Sequence, residues 1–561
     1  MTRRRRALPL VARLSGAVMV SSALVCLAAP ARATNVTEFP DNGSEQMGRG
    51  GAWMVRASDP LATAFNPAGL AGQPTRLTLQ NNTIFHHTCF TRVQAFSDKT
   101  QEPLADPNTG VFPRVCNDIA PTINPQLAMT YAVTPRLGLG LAVLGPSSGG
   151  EKQFPEFIDS ASGPQAPPNR YLLIREAGII LFPTLGVGYE VLDNLRIGGS
   201  VSWGVAKLKL ANANVSLNTD GSTPASDVRA NLQVRDYFIP GFSLGAIYGV
   251  TDRVEIAGFY KWTDAIRARG DVGTAANWYT RQNAGGDESR VRYGDTIFSD
   301  CGTGLPNVNA CGSGDNAEVK FVIPMEAKLG VRYHVPRRLP SQIPDNPTPA
   351  SPKHRRDPLA NDLFDVEVNL TWANNSAADT VQARFPGDPS GNGILPVSGI
   401  PGSSLPPNAD QPRGYKDVIG VRVGGDVNVV PDKLAVRAGG FFETNGQDKQ
   451  YQNIDFAGSS RVGFGLGGTY RIHLSSAAGS TSALELMIGY GHVFFGTQRN
   501  DDRAAAGVPA LAGTPCNPAD AQQPGPTCTN GTQKYRSNWP VNLGTITNAV
   551  NVINAGVSYR F

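Results

Sequence analysis

From residue 75 to its C-terminus the chain repeatedly places apolar side chains at every second position, over stretches too long for an ordinary sheet. In 179–191 one parity carries Ile179, Leu181, Pro183, Leu185, Val187, Tyr189 and Val191, and the other carries Thr184, Gly186, Gly188 and Glu190. In 319–335 the apolar parity is Val319, Phe321, Ile323, Met325, Ala327, Leu329, Val331, Tyr333 and Val335, with Lys320, Glu326, Lys328, Arg332 and His334 between. Period two marks a strand with one apolar face. Strands of soluble sheets are usually about 5–6 residues long, whereas a tilted strand crossing a bilayer needs about 9–11. The alternation therefore predicts an all-β chain whose strands cross a membrane.

About fourteen such segments occur, at 75–88, 121–133, 136–146, 171–191, 195–210, 231–250, 254–268, 317–335, 362–374, 415–430, 434–445, 459–474, 482–497 and 548–561. An even number suits a bacterial antiparallel β-barrel. Thr134-Pro135, Asp193-Asn194, Thr251-Asp252 and Pro431-Asp432 read as tight turns, whereas 147–169, 269–316 and 498–545 are long and polar. Short turns at one end and long loops at the other is the outer-membrane arrangement. One connection on the short-turn side breaks that rule. Residues 336–361 are long, proline-rich and basic, with Lys353, His354, Arg355 and Arg356, and read as a solvated insertion. No run after the leader is long and apolar enough for a spanning helix. The mean hydropathy of −0.21 suits a barrel with a polar interior. The parity places Glu190, Arg196, Glu255, Lys320, Glu326, Lys328, Arg332, Arg437, Arg471, Glu485 and Arg560 on the lumen side. Mixed signs suit a wall that pairs with itself and with a plug better than an ion-selective pore. Trp203, Tyr260, Trp262, Tyr333, Trp372 and Tyr470 fit two interfacial girdles.

The start of the chain is a targeting segment. Arg3 to Arg6 form a positive region, Leu14 to Ala29 an apolar one, and Ala31-Arg32-Ala33 a cleavage site, so 1–33 reads as a signal peptide. Its six arginines, taken from the fifty basic residues, leave 44 against 46 acidic residues, a net charge of −2. The pI of 8.6 thus belongs to the leader, and no basic patch suggests nucleic acid as a partner.

Residues 34–73 do not alternate. Their heart, Gly48 to Leu70, surrounds Trp53 with glycines and closes on Asn66-Pro67-Ala68-Gly69. Such a segment must pack against the sheet or sit inside it, and we read it as a plug in a barrel formed by 74–561. The pattern Gly48-Arg49-Gly50-Gly51-Ala52-Trp53, then Ala57-Ser58-Asp59-Pro60, then Asn66-Pro67-Ala68-Gly69-Leu70, together with the ending Asn554-Ala555-Gly556-Val557-Ser558-Tyr559-Arg560-Phe561, resembles the FadL/TodX family. These are outer-membrane transporters of long-chain fatty acids and other hydrophobic compounds. The resemblance implies a transmembrane antiparallel β-barrel of about fourteen strands with an N-terminal hatch inside the lumen. It makes Gly48, Arg49, Gly50, Asn66, Pro67 and Ala68 the hatch or gate residues. It also implies a multi-pass protein of the bacterial outer membrane, inserted by the barrel-assembly machinery, surrounded by outer-membrane lipid and acting as a monomer. The expected function is passive uptake of a long-chain fatty acid or other hydrophobic small molecule, released past the hatch and sideways into the bilayer. A general porin, or a structural or adhesive barrel, is the alternative.

Phe154, Phe157, Ile158 and Leu172 put apolar side chains in or beside an outer loop, as a capture groove or as plain loop packing. With Cys26 in the leader, six cysteines remain, as the close pairs Cys89 and Cys116, Cys301 and Cys311, and Cys516 and Cys528. Each is expected to form a disulfide within its own loop. His86-His87-x-Cys89 lacks a second ligand pair at suitable spacing, so no metal is expected. Gly241-Phe242-Ser243-Leu244-Gly245 matches a nucleophile elbow, but alternating strand follows it instead of a helix. Gly463-Phe464-Gly465-Leu466-Gly467-Gly468 likewise continues as strand, which excludes a phosphate cradle. No catalytic residue and no cofactor are expected.

Overall fold

In this computed structural model the described residues are 42–93, 104–106, 109–146, 151–161, 163–214, 227–275, 279, 317–337, 354–384, 395–396, 404–405, 409–456, 458–474, 482–500, 527–529, 532–534 and 542–561. The leader, Cys301, Cys311 and Cys516 lie outside them.

Fourteen long strands form the wall: β1 (Arg76–Arg92), β2 (Thr122–Ala132), β3 (Leu137–Leu144), β4 (Arg175–Leu192), β5 (Leu195–Asn214), β6 (Val228–Thr251), β7 (Val254–Thr263), β8 (Glu326–Pro336), β9 (Asp362–Ala373), β10 (Val418–Val430), β11 (Leu434–Glu443), β12 (Arg461–His473), β13 (Ala483–Phe495) and β14 (Gly544–Arg560). Each pairs antiparallel with the next, and β14 returns to β1 along its whole length, from Arg76–Arg560 to Arg92–Gly544. The barrel is closed and leaves no edge to face lipid.

The outer face is apolar and bare: Leu185, Val201, Leu329 and Ile488 are each more than 60% exposed. Inward positions carry glycines and buried charges, among them Glu190, Glu255, Arg332, Arg437, Arg471 and Arg560. Polar inside and apolar outside inverts a soluble protein and defines a membrane wall.

Above this band, towards the long loops, the wall changes face. β6 carries a bulge between Asp236 and Ile239. β7 breaks at Asp264-Ala265 and resumes as Ile266–Ala275. The stretch expected to run unbroken through 317–335 is instead two strands, Ala317–Phe321 and β8, separated by residues 322–325. Below these breaks odd-numbered residues of β6 and β7 face inward. Above them Val234, Ile266, Ala268 and Val319 are buried together, with Leu208, Leu232 and Phe321 packed against them. Lys320 is therefore on the outer face, not in the lumen as a single parity would require. The irregularities lie beside Trp203, Tyr237 and Phe238, each at least 58% exposed, where an interfacial girdle belongs. Beyond the bilayer the outside is water, so an apolar interior there costs nothing in exposed surface.

The described part of the basic connection is not solvated. Asp357, Pro358 and Leu359 are buried. The reason is a set of ion pairs into the inner mouth of the barrel. His354 Nδ1 is 3.1 Å from Glu190 on β4, and Arg356 donates to Glu255 on β7 at 3.2 Å. Asp357 accepts from Arg471 on β12 at 2.8 and 2.9 Å and from Arg560 on β14 at 2.5 Å. β7 and β14 face each other across a ring of fourteen, so consecutive residues 356 and 357 tie opposite walls.

Candidate functional site

Residues 42–73 lie inside the ring, almost wholly buried. Two short helices, Ser44–Gly48 and Ala62–Phe65, and the 3-10 turn Pro67–Leu70 provide their only helical structure among the described residues. Glycines on the wall permit the approach. A Cβ at Gly424 or Gly439 would strike the Arg49 carbonyl, one at Gly465 the Met47 carbonyl, one at Gly198 the Pro67–Ala68 peptide, and one at Gly245 the Asn66 side chain.

The first half of the segment is held by charge. Arg49 is fully buried, with Nη1 2.6 Å from both Asp365 and Asp426 and Nη2 3.4 Å from Glu367. Arg56 pairs with Asp365 and, at 3.2 Å, with Asp426. Glu367 also accepts the Val55 and Arg56 backbone N–H groups at 2.8 and 3.1 Å. Glu45 accepts from Trp53 Nε1 at 3.0 Å and Ser58 Oγ at 2.5 Å. Burial raises the Glu45 carboxyl, but Arg437 and Arg56 outweigh it and hold it below the usual range. Asp59 has weaker company. Burial, then the Glu45 charge, pushes it up to about 7.

The second half carries Asn66, Pro67 and Ala68. Asn66 Nδ2 donates to the Met54 carbonyl at 2.9 Å while its Oδ1 caps the Ala68 N–H at 3.2 Å, and Pro67 opens the turn. Gln73 bonds back to Ala57, Asp59 and Gly69. Among the described residues no ion pair ties 60–73 to the wall. One cation–π contact, Lys328 over Phe65 at 5.9 Å, reaches across.

On the long-loop side of this half is a small cavity of about 30 Å³, between Ala64 and Phe65 below and Leu144, Gly145, Pro146 and Phe182 beside it. Thr184, Ser200, Ser202, Ser243 and Lys261 bring polar groups to it. The ladder between β2 and β3 ends at Leu127–Val143, next to Gly145. There Asn42 donates to the Gly145 carbonyl at 2.7 Å and accepts from Asn82, Asn124 and Gln126. A larger depression, about 530 Å³, is on the lipid-facing wall over Ile256, Gly258, Leu329 and Val331. Phe182 joins the small cavity to the apolar interior above the face change.

The loop residues separate into two clusters. Phe154 is buried with Phe90, Val115, Leu173, Ile454 and Ile546, and Ile158 and Leu172 pack against it. Phe157 belongs to another cluster, edge-on to Tyr279 at 5.3 Å. The Cys89–Cys116 disulfide is formed and joins the outer end of β1 to Val115–Cys116. Cys89 therefore sits in a strand rather than in a loop. Cys528 lies in the strand Thr527–Thr529. Ser243 is mid-strand in β6, its Oγ 2.6 Å from Ser200 Oγ, and 463–468 lies within β12. Residues missed by motif reading are the wall acids Asp365, Glu367 and Asp426. Alternation marks 365 and 367 as inward, but nothing in the sequence names their partners.

The fold is a closed fourteen-strand antiparallel barrel around its own N-terminal segment. Solved structures share it. A Pseudomonas aeruginosa FadL homologue aligns with a TM-score of 0.59 at 16% identity, over 93% of this chain and 100% of that one. The Ralstonia pickettii toluene transporter TbuX aligns at 0.52 and 12%, over 93% and 99%. The Pseudomonas putida toluene transporter TodX aligns at 0.51 and 14%, over 94% and 99%. The chain has a FadL/TodX-type fold. No family model and no curated protein sequence matches it.

Proposed function

We propose that the protein is a passive outer-membrane channel for long-chain fatty acids or another hydrophobic small molecule, with residues 34–73 as its hatch. The observation that carries this reading is the cavity between Ala64-Phe65 and Gly145-Pro146, at the point where the β2–β3 ladder ends. At about 30 Å³ the cavity is far smaller than the roughly 300–1,000 Å³ of a small-molecule site. Ligand entry thus requires the Asn66–Leu70 half of the segment, or Phe182, to move. The fold shared with a FadL homologue and two toluene transporters supports an apolar cargo. The filled lumen speaks against a general porin. Residues 354–357 cross the inner mouth, which favours a sideways exit over an axial one. A lateral exit also keeps an apolar molecule out of water. The loop clusters around Phe154 and Phe157 are the proposed capture surface.

Deletion of 34–73 tests the reading. The barrel should assemble, since every strand remains, and should conduct small ions in planar bilayers while losing saturable uptake of labelled oleate or toluene. Full-rate uptake by the deleted barrel would reduce the segment to a folding aid.

A further inference from the structure

On the outer face just above the girdle, adjacent strands set like charges directly opposite one another. Lys207 of β5 is in register with Arg235 of β6, and Arg235 with Arg269 of the strand Ile266–Ala275. The row continues through Glu318 to Arg384. Arg269 is neutralised by Glu318 at 2.9 Å and Arg384 by Asp410 at 2.6 Å. Lys207 and Arg235 are exposed, and among the described residues neither has an acidic partner. Like charges facing each other across a ladder are destabilising. Two adjacent cations left without an acid therefore point to an external anion.

Height and neighbours say which anion. Tyr237 and Phe238, 65% and 61% exposed, are two and three residues below Arg235, about 7–10 Å along the strand. The residue in register with Lys207 on its other side is Ile179 of β4, 63% exposed. The cations thus stand where an apolar, lipid-facing wall with an aromatic belt meets water, at the long-loop end. We propose that Lys207 and Arg235 bind the phosphate groups of the phosphorylated glycolipid of the outer leaflet. Arg269 extends the site, with its charge shared with Glu318. Facing the site, Glu318, Asp236 and Asp271 are the acids; Asp236 accepts the Arg267 backbone N–H at 2.7 Å, and Asp271 stands one step further out, in register with Gln233. The proposal rests on reading the chain as an outer-membrane barrel but not on its cargo.

The test uses the full-length purified protein in a neutral detergent, titrated with diphosphoryl lipid A, with a neutral phosphatidylcholine and with inorganic phosphate. Lipid A should bind, and the Lys207→Gln/Arg235→Gln double variant should weaken that binding by about tenfold or more. Lys207→Arg should retain it, and Arg136→Gln at the short-turn end should leave it unchanged. Bound lipid A should also protect Lys207 of the wild-type protein from acetylation, read by mass spectrometry, which needs no variant to fold. Equal binding by the double variant, equal weakening by Arg136→Gln, competition by inorganic phosphate at the same concentration as lipid A, or unprotected Lys207 would each overturn the site. Apolar uptake, measured separately, reports on the channel reading and can fail without affecting this one.

Discussion

The two halves of the segment inside the barrel use the same glycine-lined wall but are held to it differently. Residues 45–56 meet β9, β10 and β11 through buried ion pairs centred on Asp365 and Asp426, whereas 60–73 rest on β3, β4, β5 and β6 by close packing alone, apart from Lys328 over Phe65. A buried charge deprived of its partner is costly, so the first half is an anchor. Close packing against glycine is lost a contact at a time, and besides it the second half is held by single hydrogen bonds, from Asn66 to Met54, from Gln73 to Ala57 and from Arg356 to Gly72. The cavity lies against the second half. On the proposed mechanism the first half keeps the barrel filled and the second half moves.

Arg49→Ala attacks the anchor and should have the largest effect. It leaves Asp365, Glu367 and Asp426 buried with less positive charge, a loss of order 3–5 kcal/mol for a broken buried pair. Heat-modifiable migration should shift to lower temperature and a steady ion leak should appear. Gly198→Ala attacks the other half by placing a methyl on the Pro67–Ala68 peptide. Overpacking of this kind costs about 1–3 kcal/mol. Here the barrel should keep its thermal stability while uptake falls, and Gly258→Ala, whose methyl makes only ordinary contact with Leu329 on the lipid face, should do neither. If Gly198→Ala lowers thermal stability more than Arg49→Ala, the roles of the halves are reversed. Replacing Asn66-Pro67-Ala68 by three alanines removes a cap worth about 1 kcal/mol and the fixed turn. Uptake should drop with assembly intact.

The smallest effect concerns pH. Asp59 joins the halves, and its carboxyl is raised from the ordinary 3.8 to about 7. The seated state therefore holds a proton that the unseated state releases more readily. Seating is most favourable below about 4 and weakens as pH rises through about 7. Leak conductance should rise over that interval, and Asp59→Asn should flatten the profile. An unchanged slope in the variant would show that another group titrates.

Most of the wall was legible because a strand facing lipid on one side and a lumen on the other writes its faces directly into the parity, as at Leu185 and Gly186. Parity failed where the chain changes face. The interruption at 322–325 leaves no compositional trace, and a single parity carried through it puts Lys320 and Val319 on the wrong sides. The basic connection misled for another reason. His354, Arg356 and Asp357 look solvated in sequence because their partners Glu190, Glu255, Arg471 and Arg560 are far along the chain. The inner segment is marked in the sequence by the loss of alternation around Asn66-Pro67-Ala68, but its ion pairs are not, since pairing over more than three hundred residues has no local signature.

The tie between Arg356 and Asp357 across opposite strands also sets an order of events. The Arg356 backbone N–H bonds to the Gly72 carbonyl at 2.8 Å, so the tie lies directly beneath the end of the inner segment. Its partners Glu255 and Arg560 stand on opposite walls. The inner segment therefore cannot leave through the inner mouth until this tie opens, whereas movement towards the side wall needs no such step.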